Sequence, residues 1–172
     1  MSYFNELQKA MTWLGEKPDT VFIGQQVCFP GNAVYKTLQA VPVEKRIELP
    51  VAEDMQLGMS IGLALTGKTV ISIFPRFDFL MCCMNQLVNH LDKGLYKGSG
   101  KVIIRVCVGS TKPMHPGLQH CGDYTEIFVR LLKNVKVLIL NRTQDIVSAY
   151  LLAYGAKSSF LIVEYGDLYG VV

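Results

Sequence analysis

An acidic residue, two aromatic residues and a histidine follow three successive apolar segments of the sequence. Glu53 comes after "RIELPV", Phe77 and Phe79 come directly after "TVISIF", and His120 comes in a loop after "KVIIRVCVG". Carboxyl and imidazole groups are side chains that transfer protons in enzymes, and aromatic rings stack on other flat rings. If the three segments are parallel strands of one sheet, their carboxyl ends bring these side chains to one place.

Short apolar runs alternate with segments of helical periodicity along the whole chain of 172 residues. Strands are predicted over 20–24, 46–51, 69–74, 101–109, 135–140 and 159–165. Helices are predicted over 2–14, 33–41, 54–66, 80–97, 123–132 and 143–156, with Asp78 and Thr143 as N-caps. The strands are solidly apolar, not alternating, which indicates a sheet covered on both faces. We expect one α/β domain over residues 1–172, a mainly parallel six-stranded sheet with helices on both faces.

The composition excludes several classes of protein. The net charge is +3 with no run of Lys or Arg, which argues against nucleic acid and membrane surfaces as partners. No apolar span reaches the ~18 residues of a membrane helix, and the N-terminus does not look like a signal peptide. The five cysteines form no CxxC pair, so we expect a reducing cytoplasm and no zinc site. Half of the residues are hydrophobic, which suggests surface buried against a partner.

Each candidate residue also has a purely structural interpretation. Glu53 at the first turn of a helix favours the helix dipole and can cap amides. Gly58 and Gly62 cost ~1 kcal/mol each inside a helix, so something approaches them closely. Phe79 can be a core residue, and His120 can be an ordinary surface histidine. Both interpretations stay open on the residues alone.

The segment "EDMQLGMSIGL" resembles the signature of the pyrimidine-binding domain of thiamine-diphosphate enzymes: Glu, four residues, Gly, an apolar residue, two residues, Gly. Four further segments are similar, in the right order, to the beta subunit of the 2-oxo acid dehydrogenase decarboxylating component. They are "FIGQQVCFPGNAVYKTLQ", "FPRFDFLMCCMNQLVNHLDK", "GLQHCGD" and "LIVEYGDLYG". The resemblance covers about residues 14–172. It implies the thiamine-diphosphate-binding fold.

The resemblance implies a role for five residues at the cofactor. Glu53 falls where the family's acid hydrogen-bonds the ring nitrogen of the aminopyrimidine and so activates the cofactor. Phe79 falls where an aromatic ring lies against the pyrimidine, and Val51 and Pro75 fall at neighbouring wall positions. His120 matches the histidine that handles protons of the substrate or of the intermediate.

Five further residues are candidates for the subunit interface or for contact with the substrate. Gly58 and Gly62 fall on the helix that packs against its symmetry mate, so they are predicted interface residues. Gln119, His115 and Arg76 are candidates for contact with the substrate. His115 can equally be a solvated loop residue, and Arg76 can equally form a surface ion pair instead of binding a carboxylate or phosphate.

The sequence departs from the family in two ways. It has no Gly-Asp-Gly start of a diphosphate site, so we expect a separate subunit to hold the diphosphate and Mg2+, with no metal site in this chain. The sequence also ends at Val172, where the family's C-terminal domain should begin. This favours a transketolase-like or decarboxylase-like carboligase acting on a ketone or 2-oxo acid. We expect a homodimer of this chain within a heterotetramer.

Three other functions are alternatives to this one. The chain can be a beta-type subunit of a 2-oxo acid dehydrogenase, or a non-catalytic structural or regulatory subunit that keeps the fold. A nicotinamide oxidoreductase is disfavoured, because the first strand leads into "GQQVCFPG" and not into G-x-G-x-x-G.

Overall fold

The computed structural model describes residues 2–94, 99–112 and 115–170, and its centre is a six-stranded sheet. The strands are β1 (Thr20–Gly24), β2 (Arg46–Glu48), β3 (Thr69–Phe74), β4 (Lys101–Val108), β5 (Lys136–Leu140) and β6 (Phe160–Tyr165). They lie in the order β2-β1-β3-β4-β6-β5, and every neighbouring pair is parallel. The predicted fold class is confirmed, and all carboxyl ends face one edge, where open α/β sheets bind ligands.

Helices cover both faces of the sheet. They are α1 (Tyr3–Gly15), α2 (Ala33–Lys36), α3 (Glu53–Leu65), α4 (Phe77–Leu80), α5 (Thr125–Leu131) and α6 (Ile146–Gly155). One apolar core lies between the sheet and α1, α2 and α6, and the other lies between the sheet and α3, α4 and α5. The solidly apolar strands follow from this arrangement, because side chains on both faces of each central strand are buried.

The helix predicted over 80–97 is wrong in its start and in its regularity. α4 already begins at Phe77, and it continues as a 3-10 turn (Met81–Cys83) and a π-helix (Asn85–Asp92). Buried residues recur three apart at Phe77, Leu80 and Cys83, and then four apart at Leu87 and Leu91. A tighter turn followed by a wider one keeps all of them on the core side. Residues 95–97 of the predicted helix lie outside the described residues.

Other boundaries differ from the prediction as well. β2 ends at Glu48 and not at 51, because Pro50 lacks the N–H that a strand ladder needs. α2 ends at Lys36 and not at 41, since the next residue, Thr37, is buried and its hydroxyl accepts from Nη1 of Arg105 in the core. Asp78 and Thr143 do not cap helices, because α4 and α6 have no side-chain cap. A 3-10 turn (Thr143–Asp145) comes first, and α6 begins after it, at Ile146.

A buried amide fixes α3 on the sheet. Gln56 is 1% exposed, and its Nε2 donates to the carbonyl of Ile73 at 2.9 Å and to Oγ of Ser72 at 3.2 Å. A Cβ at Gly24 would lie 2.5 Å from the same Ile73 carbonyl, so only glycine allows β1 this approach. These bonds hold the first turn of α3, and hence Glu53, against the ends of β1 and β3.

A buried ion pair joins β4 and β6, although both were predicted to be solidly apolar. Arg105 donates to Glu164 through Nε at 2.7 Å and Nη2 at 3.0 Å, and through Nη1 to Oγ of Thr37 at 2.8 Å. The hydroxyls of Tyr150 and Tyr169 donate to the same Glu164 carboxylate. The opposite charges lie on neighbouring strands, so each replaces the solvation that the other loses.

Candidate active site at the carboxyl edge of the sheet

Glu53 is the first residue of α3, just after the turn that leaves β2. Its Oε1 accepts a hydrogen bond from Nε2 of Gln25, 3.1 Å away, which follows β1. Within the described residues no donor reaches its Oε2, and its carboxylate caps none of the backbone amides of α3. The side chain is partly exposed. Glu53 therefore offers one free carboxylate oxygen at a helix N-terminus, where the dipole favours negative charge.

Glu48 fixes the loop that carries Gln25. Its carboxylate accepts from three successive backbone amides, those of Gln26 at 2.6 Å, Val27 at 2.8 Å and Cys28 at 2.8 Å. Gln26 has a φ of 56°, which turns these amides towards one point. Sequence reasoning missed Glu48, because an acid at the end of a strand carries no signal of which amides it will bind.

Phe79 and His120 meet as predicted. Their ring centroids lie 5.6 Å apart with the rings nearly perpendicular, and both side chains are partly exposed. Asp78 holds the loop in place, because its carboxylate accepts from the amide of Gly122 at 3.1 Å and from the hydroxyl of Tyr124 at 3.0 Å. The structure thus brings the aromatic residue after β3 and the histidine after β4 together at the same edge.

The remaining cofactor-wall candidates have different environments. Pro75 is buried at the end of β3, next to the loop of Phe79. Val51 is 78% exposed, so it contacts a ligand only if the ligand or a partner covers this surface. Phe77 is a core residue: its ring stacks on Phe128 at 5.2 Å and does not face the edge.

The three substrate candidates separate in the structure. His115 is exposed, and its Nδ1 accepts from the amide of Gly117 within its own loop, in line with the loop interpretation. Gln119 is exposed beside His120. Arg76 takes part in none of the ion pairs formed among residues 2–94, 99–112 and 115–170, so its ion-pair interpretation finds no support.

The outer face of α3 is apolar and exposed. Apart from the backbone of α3 itself, no atom of the described residues lies within 4 Å of a Cβ added at Gly62, and the nearest ones at Gly58 belong to the amide of Gln86, from 3.7 Å. The large exposed side chains on this helix are Met55 (43%), Met59 (39%) and Leu65 (48%). Two glycines inside a helix, flanked by exposed apolar side chains, fit a surface that another backbone approaches.

The buried thiol near Glu53 is not a nucleophile. Cys83 donates to the carbonyl of Leu80 at 3.1 Å. Burial first, and then the negative charge of Asp54, raise the pKa of the Cys83 thiol to about 12. The thiol therefore stays protonated near neutral pH and serves packing.

Gly109→Ala is expected to destabilise the protein and displace the His120 loop. A Cβ at this position would lie 1.7 Å from the carbonyl oxygen of His120, so the loop must move. We expect a loss of about 1–3 kcal/mol in the free energy of unfolding, measured with urea. Gly155→Ala is the control, since no atom lies within 4 Å of its Cβ, and stability should stay or rise slightly. Equal stability of Gly109→Ala and wild type would contradict the packing described.

Solved structures with the same architecture define the class of fold. A split-gene transketolase, an inactive beta4 tetramer, matches 96% of this chain and 51% of its own, with a TM-score of 0.71 and 17% identity. Benzoylformate decarboxylase from Polynucleobacter necessarius matches 92% of this chain and 32% of its own, with a TM-score of 0.64 and 13% identity. The chain has the transketolase-like fold of thiamine-diphosphate enzymes.

Similarity in sequence to proteins of known function points to one group of proteins within this class of fold. The 2-oxoisovalerate dehydrogenase subunit beta of Bacillus subtilis is 26% identical over 136 residues, 74% of this chain and 41% of that protein. The mitochondrial pyruvate dehydrogenase subunit beta of Caenorhabditis elegans is 24% identical over 176 residues, 99% of this chain and 50% of that protein. The homologues of this chain are beta subunits of these dehydrogenases, and the chain spans about half their length. No family model matches the sequence.

Metal-binding clusters and membrane-spanning helices are both absent from the described residues. No group of three or more His, Cys, Asp or Glu side chains there is arranged to hold a metal ion. No helix in the same part of the chain is long and apolar enough to cross a bilayer.

Proposed function

We propose that this chain is the pyrimidine-binding subunit of a two-component thiamine-diphosphate enzyme. The enzyme would form or cleave a carbon–carbon bond next to a ketone or 2-oxo acid carbonyl. The observation that carries the proposal is the position of Glu53, with Oε1 held by Gln25 at 3.1 Å and Oε2 left without a donor in the described chain. Homology to beta subunits of two 2-oxo acid dehydrogenases supports it.

The residues at this edge fit the pyrimidine half of the cofactor. The free oxygen of Glu53 can accept from, or share a proton with, a ring nitrogen, and Gln25 fixes the orientation of the carboxyl group. Phe79 offers a flat, partly exposed apolar surface to the ring. When bound, the cofactor supplies an electron sink for chemistry next to a carbonyl. Glu53 would hold a proton at a defined place.

His120 is the proposed group for proton transfer to the substrate. Its ring lies 5.6 Å from Phe79 and is partly exposed, so a ligand at this edge can reach it. The close approach of its backbone to Gly109 fixes the position of the backbone that carries the ring. Gln119 and His115 are exposed in the same loop, and we propose them only as outer contacts.

We further propose that a separate subunit holds the diphosphate and Mg2+. The sequence contains no Gly-Asp-Gly start of a diphosphate site, and the relatives are beta subunits by name. Two copies of this chain would pair through the outer face of α3, with one partner subunit bound to each copy. The assembly would be a heterotetramer whose active sites lie between unlike subunits.

Met59→Glu is expected to split the proposed homodimer. Met59 is 39% exposed on the outer face of α3, and burying a carboxylate there without a partner is unfavourable. We expect the dimer affinity to fall by about 100-fold or more, measured by sedimentation equilibrium. Leu152→Glu is the control, because Leu152 is 57% exposed on α6, on the other face of the sheet. An unchanged mass of Met59→Glu at low chain concentration would refute pairing through α3.

Calorimetry tests the function. Thiamine diphosphate with Mg2+ is titrated into this chain alone and into a mixture with a candidate diphosphate-binding subunit. We expect little binding alone and tight binding in the mixture. A mixture that assembles without binding the cofactor contradicts the proposal and favours a non-catalytic subunit. The second candidate function, a beta-type subunit of a 2-oxo acid dehydrogenase, is favoured by the homology and predicts turnover of a 2-oxo acid but not of a ketose phosphate.

A further inference from the structure

Arg76 carries a positive charge that no group of the described chain neutralises. It follows Pro75 at the end of β3, and its Nη1 donates to the Pro75 carbonyl at 2.8 Å. Its Nε is shielded from solvent and has no hydrogen-bond acceptor in the described chain. An N–H that has lost water without gaining an acceptor is unfavourable, so this atom is expected to meet one in the functional state.

The side chain of Arg76 lies beside the segment that carries His120. A Cβ at Gly109 would lie 3.3 Å from Cδ of Arg76 and 1.7 Å from the carbonyl oxygen of His120. The His120 ring is in turn 5.6 Å from that of Phe79. Arg76 is therefore part of the candidate active site and not of a distant surface.

Carboxylates at or just after the carboxyl ends of β3 and β6 already have donors. Asp78 accepts from Tyr124, Asp167 from Ser110, and Glu164 from Arg105. None of these carboxylates is within ion-pair distance of Arg76. The charge of Arg76 is thus available to an anion from outside the chain.

We propose that Arg76 binds an anionic group of the substrate, a carboxylate or a phosphate, in the site of Glu53, Phe79 and His120. With Nη1 occupied by the Pro75 carbonyl, Nη2 remains to donate to one oxygen of either group, and Nε can donate to a second oxygen once the side chain shifts and uncovers it. The inference rests on the proposed function and adds the charge of the substrate to it. The substrate is a 2-oxo acid or a sugar phosphate and not a neutral ketone.

The first test does not require turnover. The Nε–H signals of the arginines are recorded by NMR in the full chain labelled with 15N, and Arg76→Lys identifies the signal of Arg76. We expect this signal to shift on titration with pyruvate or inorganic phosphate, and not with acetone. The anion that shifts the signal at the lower concentration shows whether the site binds a carboxylate or a phosphate. No shift with either anion, or an equal shift of the exposed Arg130, would overturn the proposal.

The second test uses the enzyme reconstituted with its partner subunit. We expect Arg76→Gln and Arg76→Lys to raise KM for the anionic substrate by about 10- to 100-fold, with kcat within a few-fold and the affinity for thiamine diphosphate unchanged. The matched control is Arg142→Gln, in an exposed ion pair with Asp145. A fall in melting temperature and kcat with KM unchanged would show a merely structural role and overturn the proposal.

The two tests separate this inference from the proposed function. If the Arg76 signal responds to anions but no thiamine-dependent turnover is found, the anion site stands and the proposed function fails. If turnover is found and both Arg76 variants keep the KM of the wild type, the function stands and the anion site fails.

Discussion

Glu53→Gln is expected to abolish turnover by the assembled enzyme, with a fall in kcat of about 1,000-fold or more. The amide has the size of the carboxyl group and can still accept from Gln25, whose Nε2 now donates to Oε1 at 3.1 Å. It cannot hold a proton that it shares with a ring nitrogen. Steady-state kinetics at saturating cofactor measures the loss, and the melting temperature and mass of the assembly should remain those of the wild type.

Asp54→Asn provides a matched control for this prediction. Asp54 is the next residue of α3 and carries an exposed carboxylate, whose only hydrogen bond within the described chain comes from Gln86 at 3.3 Å. Asp54→Asn changes the charge at the helix N-terminus as much as Glu53→Gln does. Because Asp54 is not the carboxylate that contacts the cofactor, kcat of Asp54→Asn should stay close to that of the wild type. Full turnover by Glu53→Gln, or an equal loss in Asp54→Asn, would refute the special role of Glu53.

Glu164→Leu is expected to lower the free energy of unfolding by about 3–5 kcal/mol. Glu164 is 0% exposed and accepts from Arg105, Tyr150 and Tyr169, so its loss leaves the buried charge of Arg105 without a counter-ion and two hydroxyls without their acceptor. Burial lowers the pKa of Arg105, but the attraction of Glu164, together with the interactions with Tyr169 and Tyr150, outweighs burial and raises that pKa well above its usual value. Urea unfolding at a fixed chain concentration measures the effect.

Two comparisons make this result specific to the ion pair. The double variant Arg105→Met with Glu164→Leu removes both charges, so it should be more stable than Glu164→Leu alone. Asp145→Ala breaks the exposed pair with Arg142 and should cost no more than about 1 kcal/mol. A loss in Glu164→Leu as small as that in Asp145→Ala would contradict a buried charge network.

The sheet could be predicted from the sequence because burial on both faces demands apolar residues at nearly every strand position. The same rule, that buried strands are apolar, gave no indication of the ion pair. Arg105 and Glu164 each stand alone in an apolar strand, and only the strand order β4-β6 reveals that they are neighbours. One-dimensional patterns do not contain this order, because it depends on which helices cross over the sheet.

The candidate site was predictable in part for a similar reason. Glu53, Phe79 and His120 each follow a strand, so the topology alone places them at one edge. The supporting contacts were not predictable. Gln25 reaches Glu53 only because Glu48 gathers three backbone amides of the loop, and backbone amides have no signature in the sequence.

The predicted helix boundaries are wrong where tertiary contacts override local preference. Asp78 has the type of an N-cap but binds the loop after β4 instead, which serves the position of His120. Thr37 would continue α2, but its hydroxyl accepts from Arg105 in the core. Such residues satisfy a distant partner at the expense of the regular helix.

The most direct test of the central claim is a structure of the assembled enzyme with thiamine diphosphate bound. The measurement is the distance from the carboxyl oxygens of Glu53 to the nearest nitrogen of the pyrimidine ring. We predict about 2.6–3.0 Å, the distance of a hydrogen bond. A Glu53 side chain turned towards solvent, with no ring nitrogen within about 3.5 Å, would contradict the account.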